Sequence, residues 1–348
     1  MPHRYWRLIF NTTDGGGAFA GQQCQFRTSH GGANAATGGT AAASSTFSGT
    51  SVTNLFANSG IWSSTGNGAS TPEWVSYDFG SGVTIVEVLW ESRNDSFYNQ
   101  APRAFVCQYS DDNTNWSDAF WGTNAGWTIG ESVVFTEPAA YDGVATYGWW
   151  GLGFTLADAS APGNAFGLAE VQNRATMGGS SQNSGGTASA TNAFSGTPAS
   201  QAYDGNASTF WSSNSYKTIG TVLSYAFASP VACVEVAVIA RNDSDYDQAP
   251  LAADVLYSSD GIGWGIAWQA TFSAWTSGET QTTDFGGGGG TETGTISQTF
   301  GQFIQAAAGA TYHEGGPISQ TLGQFSQAGN LFDASAETGL RQFWTFGG

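Results

Sequence analysis

A ten-residue motif that occurs twice carries side chains suited to sugar recognition. It reads RNDSFYNQAP from Arg93 and RNDSDYDQAP from Arg241. A guanidinium and an amide donate directional hydrogen bonds to hydroxyls, a carboxylate accepts them, and an aromatic face covers the apolar side of a sugar ring. The motif therefore predicts two ligand sites, formed by Arg93, Asn94, Asp95 and Tyr98 and by Arg241, Asn242, Asp243 and Tyr246.

The same residues allow two other interpretations. Arg93 and Arg241 can pair with Asp95 and Asp243 and so hold a long loop between strands, which is a structural role. Asp243 with Asp245 or Asp247 offers the two carboxylates that a glycan hydrolase requires. We expect no enzyme, because loop acids more often bind or solvate and the sequence contains no nucleophile, zinc or phosphate-loop motif.

Self-similarity extends on both sides of this motif and defines two copies of one unit. YSDDNTNW from Tyr109 corresponds to YSSDGIGW from Tyr257, and GGTAAASSTFSG from Gly38 corresponds to GGTASATNAFSG from Gly185. The repeat predicts one domain at 1–140, the first copy, and another at 141–286, the second copy. A Gly-rich linker and a tail follow at 287–348.

The residues between the motifs favour an all-β chain. Short runs such as VTIVEVLWES and VACVEVAVIA are separated by clusters of Gly, Asn, Asp and Ser, which is typical of the many short strands of a sandwich. No amphipathic helical pattern stands out. The three cysteines each align with an aliphatic residue of the other copy, so we interpret them as buried hydrophobic residues: Cys24, Cys107 and Cys233. Four tryptophans are interpreted as core residues, namely Trp62, Trp116, Trp211 and Trp264.

The charge balance excludes two classes of partner. Nine basic residues against 27 acidic ones give a net charge of −18, which repels phosphate backbones and anionic lipid. No stretch approaches the roughly 20 apolar residues of a membrane span, and the N-terminus shows no cleavable signal pattern. We therefore expect no nucleic-acid partner and no membrane insertion.

Three segments of the second copy resemble a known family. DGNASTFWSS from Asp204, the strand that ends at Arg241, and YSSDGIGW resemble the discoidin or coagulation factor 5/8 C-type domain. This is a galactose-binding-like jelly-roll sandwich found in many carbohydrate-binding modules. The resemblance implies two tandem jelly-roll β-sandwiches. The strands that the family places last come first in each copy, as YWRLIF from Tyr5 and WWGLGF from Trp149, so both copies are predicted to be circularly permuted.

The resemblance also implies one structural Ca²⁺ in the second copy. In the family, the DGNxxT loop and a glutamate of a neighbouring strand hold the ion, which here correspond to Glu170, Asp204, Asn206 and Thr209. Carboxylate, amide and hydroxyl oxygens are suitable ligands for calcium. The first copy has Gln23 and Ala57 at the two acidic positions, so no ion is expected there. The alternative is a turn in which the aspartate only caps the loop.

The tail contains a second, shorter repeat. ISQTFGQFIQA from Ile296 recurs as ISQTLGQFSQA from Ile318. Two units this short cannot bury a core alone, so we expect them to pack on other chains of a homo-oligomer. ISQT-type tails behind permuted discoidin-like units resemble phage structural proteins, which implies a location in the virion and other virion subunits as partners.

These observations lead to one main hypothesis and one alternative of another class. The main hypothesis is a phage surface protein, tail-associated or capsid-decorating, that adheres to host polysaccharide and gains avidity from repetition. The alternative is an architectural virion protein without a glycan ligand.

Overall fold

The structure is a computed structural model, and it describes residues 1–66, 71–157, 165–214 and 219–286. The predicted all-β class is confirmed. The described residues contain one α-helix, the six-residue α1 (Val52–Ala57), which the sequence pattern did not predict. The linker and tail predictions for residues 287–348 lie outside the described residues.

Twenty strands form the described fold, ten from each copy. The first copy contributes β1 (His3–Phe10), β2 (Ala20–Gly21), β3 (Gln23–Arg27), β4 (Thr40–Ala43), β5 (Trp62–Ser63), β6 (Glu73–Val83), β7 (Glu87–Glu91), β8 (Ala104–Ser110), β9 (Ser117–Thr123) and β10 (Ser132–Thr136). The second copy contributes β11 (Tyr147–Ala157), β12 (Gly167–Leu168), β13 (Glu170–Arg174), β14 (Thr187–Ala190), β15 (Trp211–Ser212), β16 (Thr221–Val231), β17 (Glu235–Ile239), β18 (Pro250–Ser258), β19 (Gly263–Thr271) and β20 (Thr280–Asp284).

Five strands of each copy join one continuous ten-stranded sheet. Its order is β14-β16-β11-β18-β19-β9-β8-β1-β6-β4. Two three-stranded sheets, β10-β7-β3 and β13-β17-β20, complete the layers. The first strand of each copy pairs within its own copy: β1 lies between β6 and β8, and β11 lies between β16 and β18.

Alternation along the strands creates the hydrophobic cores. Trp6, Leu8 and Phe10 of β1 point into a core built from residues of the first copy, because alternate residues of a strand face the same side. The second copy has a corresponding core around Trp150 and Trp211. All three cysteines are buried and free, as predicted.

A third hydrophobic cluster lies between the copies. Residues on the opposite face of the large sheet form it, including Ile9, Val106 and Trp121 of the first copy and Val222, Leu256 and Trp264 of the second. Antiparallel pairing of β9 with β19 places Trp121 opposite Trp264. The two copies are therefore held in one compact unit rather than joined by a free linker.

Two of the four tryptophans interpreted as core residues occupy other environments. Trp62 and Trp211 are fully buried in the cores of their copies. Trp264 is buried against the other copy, and its Nε1 donates a 2.8 Å hydrogen bond to Oγ1 of Thr123. Trp116 is only half-buried, with the guanidinium of Arg7 4.1 Å from its ring centroid. Among the described residues, no helix is long and apolar enough to cross a membrane.

Candidate functional site

The ten-residue motif that begins at Arg93 lies at the rim of an open groove in the first copy. We call it the Arg93 groove, a cavity of about 450 Å³ whose lining includes Phe47, Ser48, Thr50, Arg93, Phe97 and Gln100. The side chains of Phe47 and Phe97 are 56% and 52% exposed, which is unusual for phenylalanine in a soluble fold. The groove thus combines two aromatic faces, a guanidinium, hydroxyls and an amide.

Arg93 is held in place by the loop that follows β7. Its Nε donates to Oδ1 of Asp95 at 3.0 Å, its Nη2 pairs with Oδ2 at 2.5 Å, and its Nη1 donates to Gln100 at 3.4 Å. Asp95 also accepts the backbone N–H of Phe97 at 3.0 Å. The hydrogen bonds from Arg93 hold the pKa of Asp95 below its usual range. The loop therefore presents Phe97 on a rigid base.

The matching position of the second copy is closed. Nη2 of Arg241 pairs with Asp243 at 2.5 Å and Nη1 donates to Gln248 at 2.7 Å, which parallels the first copy. The ring of Phe210, however, lies 3.6 Å from the Arg241 guanidinium, closer than the 5.0 Å between the ring of Phe97 and Arg93, and the Arg241 side chain is only 8% exposed against 16% for Arg93. Phe210 corresponds to Ile61 of the first copy, because each directly precedes the buried tryptophan.

The predicted ligand residues are thus only partly brought together. Arg93 lines the groove, while Tyr98 and Tyr246 are half-buried and pack on the cores. Asn94 and Asn242 are exposed, and Oδ1 of Asn242 accepts from Ser277 at 3.2 Å. Arg93 pairs with Asp95 and Arg241 pairs with Asp243, as the structural interpretation of the motif expects. A ligand role of these residues therefore stays a prediction.

Sequence reasoning missed the two phenylalanines of the groove. Phe47 stands in a TFSG loop and its counterpart Phe194 in an AFSG loop, and both are more than half exposed. A phenylalanine among Gly and Ser in both copies was the available signal. Phe97 is replaced by Asp245 in the second motif, so this aromatic face belongs to the first copy alone.

Two of the loop acids of the second motif are paired with its arginine. Asp243 and Asp245 both face Arg241, at 2.5 and 3.5 Å from its Nη2. Partial burial alone would raise the pKa of Asp243, but hydrogen bonds from Arg241 and from the backbone N–H of Asp245 lower it below its usual range. A general acid needs the opposite shift.

The residues of the predicted calcium site lie close together at one end of the second sandwich, where Oδ1 of Asn206 accepts the backbone N–H of Ser208. Glu170 begins β13 and is buried, and its Oε1 accepts the backbone N–H of Asn206 at 2.8 Å. The same N–H donates to Oδ1 of Asp204 at 2.9 Å, and Oγ1 of Thr209 donates to Oδ2 of Asp204 at 2.8 Å. Gly205, at φ +75°, allows the tight turn that brings these oxygens together.

Two neighbouring carboxyl groups lie in this cluster, and either a proton or a cation would relieve their repulsion. Burial raises the pKa of Glu170 to about 7, and its contact with the carboxyl of Asp204 adds to the shift. The donor set of two carboxyls, a hydroxyl and a backbone carbonyl fits the oxygen preference of Ca²⁺. In the first copy Gln23 is buried at the position of Glu170, and Ala57 ends α1 where Asp204 would stand. That copy therefore lacks both charges.

Comparison with known proteins points to a binding module for part of the chain. Residues 40–139 match the model of the F5/8 type C domain, a carbohydrate- or lipid-binding type of module. The match covers most of the first copy, including the Arg93 groove from Phe47 onward. No curated protein and no solved structure matches the chain significantly.

Proposed function

We propose that this chain is a non-enzymatic adhesion protein on the surface of a phage particle, and that the Arg93 groove binds host polysaccharide. The observation that carries the proposal is the pair of exposed rings, Phe47 and Phe97, beside an immobilised guanidinium. An aromatic face stacks on the apolar side of a sugar, and hydrogen bonds to Arg93 and Gln100 would select its hydroxyls.

Two permuted sandwiches, at 1–140 and 141–286, are part of this proposal. The pairing of β1 with β6 and β8, and of β11 with β16 and β18, supports it. So does the start of the family match at residue 40, which leaves β1, β2 and β3 outside the matched region. The order in which strands follow one another along the chain can change without altering a sandwich whose ends are neighbours.

The virion location is supported by the resemblance of the ISQT tail to phage structural proteins. We propose that the tail anchors the chain to other virion subunits in an oligomer, tail-associated or capsid-decorating. Many copies on one particle would turn individually weak sugar contacts into firm attachment, because later contacts are intramolecular. Electron microscopy of intact particles with an antibody against this chain tests the location.

We further propose one structural Ca²⁺ in the second copy, held by Glu170, Asp204, Asn206 and Thr209. The ion would neutralise the two carboxyl groups and tie the loop at Asp204 to β13. The first copy would bind none, since Gln23 and Ala57 carry no charge.

Glycan-array binding of the wild type and of two matched variants tests the ligand. Phe97→Ala removes an exposed ring of the Arg93 groove, and Phe194→Ala removes the equally exposed counterpart of Phe47 in the second copy. We expect Phe97→Ala to weaken binding about tenfold or more, which corresponds to about 1.4 kcal/mol, and Phe194→Ala to leave it unchanged. Equal effects of both variants would contradict the Arg93 groove as the site. No glycan bound by the wild type would favour the architectural alternative.

A further inference from the structure

A second polar cavity lies between the two copies. It measures about 340 Å³, and we call it the seam cleft. One wall comes from the loop after β1 and from the start of β8 in the first copy, and the other from two loops of the second copy. Its lining includes Asn11, Thr13, Asp14, Arg103, Asn192 and Asn214. A single sandwich of this type has no such site, because neither copy supplies both walls.

The contact between the copies fixes the two walls. Asn11 and Asn192 are buried, at 0% and 8% exposure. Oδ1 of Asn11 accepts from the hydroxyl of Thr12 at 2.7 Å, and Oδ1 of Asn192 accepts the backbone N–H of Asn214 at 2.9 Å, so both amide planes are oriented. Preorganised polar groups cost little ordering entropy when a ligand binds.

Gly220 shows how closely the copies approach here. It has φ +118°, and a Cβ at this position would lie 3.0 Å from Oδ1 of Asn11. A larger residue would push the wall of the second copy away from Asn11. The absence of a side chain at Gly220 therefore allows the two copies to approach closely.

The charge of the seam cleft indicates a neutral ligand. Nε of Arg103 lies 3.5 Å from Oδ1 of Asp14, so the cation and the anion largely cancel. Oδ2 of Asp14 also accepts the backbone N–H of Trp127 at 2.8 Å, which holds the carboxylate in place. The remaining lining is rich in amides and hydroxyls, which both donate and accept hydrogen bonds as sugar hydroxyls do.

We infer that the seam cleft is a second binding site, for a neutral saccharide unit, assembled only when the two copies pack together. The amides and hydroxyls of the described lining would hold the ligand by hydrogen bonds to its hydroxyl groups. The inference goes beyond the Arg93 groove and does not depend on it, because the two cavities share no lining residue.

Threonine-methyl NMR of the full chain distinguishes the two sites. Thr12, Thr13 and Thr191 line the seam cleft, whereas Thr50 and Thr65 line the Arg93 groove. The probes are maltotriose, cellotriose and chitotriose as neutral saccharides and trigalacturonate as a charged one. A site that holds a sugar by hydrogen bonds is expected to bind with a dissociation constant on the order of 1 mM, so each probe is titrated to about 10 mM.

We expect saturable shifts of the Thr12, Thr13 and Thr191 methyls with at least one neutral probe and weaker or no shifts with trigalacturonate. Ala193→Trp should abolish these shifts by filling the cleft, whereas Ala193→Ser should preserve them, since Ala193 is an exposed lining residue. Shifts confined to Thr50 and Thr65 would overturn the seam cleft and support the Arg93 groove. Shifts confined to the methyls of Thr12, Thr13 and Thr191 would support the seam cleft and contradict the Arg93 groove. No shift with any neutral probe, or seam shifts that survive Ala193→Trp, would also overturn the inference.

Discussion

The indole Nε1 of Trp121 donates a 2.7 Å hydrogen bond to Oδ2 of Asp254 and thereby joins the two copies through a buried carboxyl group. The carboxyl of Asp118, from the first copy, adds to the rise in the pKa of Asp254. Val106 and Ile266 occupy the corresponding positions of the opposite copies. The two acids therefore serve the contact between copies rather than the sandwich itself.

This pair predicts a pH-dependent stability. Burial, together with the charge of Asp118, raises the pKa of Asp254 to about 7, against about 3.9 in an unfolded chain. Between these values the folded state holds a proton that the unfolded state has released, so the stability contributed by the pair falls as pH rises from about 4 to about 7.

Asp254→Asn tests this dependence, because the amide can still accept from Trp121 and donate to Asp118. We expect the free energy of unfolding of the variant, relative to the wild type, to increase by roughly 3 kcal/mol across this pH range, because one pKa unit corresponds to about 1.4 kcal/mol. Urea unfolding at about pH 4.5 and pH 8 measures the difference. A difference that does not vary with pH would contradict the shared-proton interpretation.

Two tryptophan variants compare a hydrogen bond to a carboxyl group with one to a hydroxyl group at the same contact. Trp121→Phe leaves a buried carboxyl with one donor fewer, and we expect a loss of about 1–3 kcal/mol in the free energy of unfolding. Trp264→Phe removes the bond to the hydroxyl of Thr123 and should cost about 0.5–1.5 kcal/mol. Both variants also lose ring area, so the ranking between them, measured by urea unfolding, is the informative result.

Removing the ring that covers Arg241 should create a saccharide site in the second copy that matches the Arg93 groove. Phe210→Ile combined with Asp245→Phe gives the second copy the residues of the first at both positions. Removing the ring over Arg241 costs about 0.5–1 kcal/mol, while the guanidinium becomes accessible. We expect calorimetric stoichiometry, with a glycan that binds the wild type, to rise by one site per chain. Unchanged stoichiometry in a folded variant would show that Phe210 does not control access.

Calcium should bind the second copy alone. We expect calorimetric titration of the metal-free chain to give one site, and thermal stability to increase with Ca²⁺ concentration, because a ligand that binds only the folded state stabilises it. Glu170→Gln should abolish both effects. Gln23→Glu is the matched control in the first copy and should add no site, since Ala57 provides no second carboxylate. Two sites, or none, in the wild type would refute the assignment.

The sequence by itself determined the elements that local patterns govern. Alternating apolar residues between Gly- and Asn-rich turns predicted the all-β class, and the aligned motifs predicted that Arg93 and Arg241 occupy matching loops. The resemblance to the discoidin-type domain paired the DGN loop with Glu170, and the loss of both acids in the first copy supports this pairing. The strand pattern and the repeat, by contrast, follow from spacing and residue type alone.

Only the tertiary structure decided how the two copies face each other and which motif stays open. Trp116 and Trp264 look equivalent in the aligned sequence, yet Trp264 is buried against the first copy while Arg7 covers Trp116. Ile61 and Phe210 are both apolar residues before a tryptophan, yet only Phe210 closes its site by packing on Arg241. Burial depends on neighbours that are distant in the chain, so a local pattern cannot assign it.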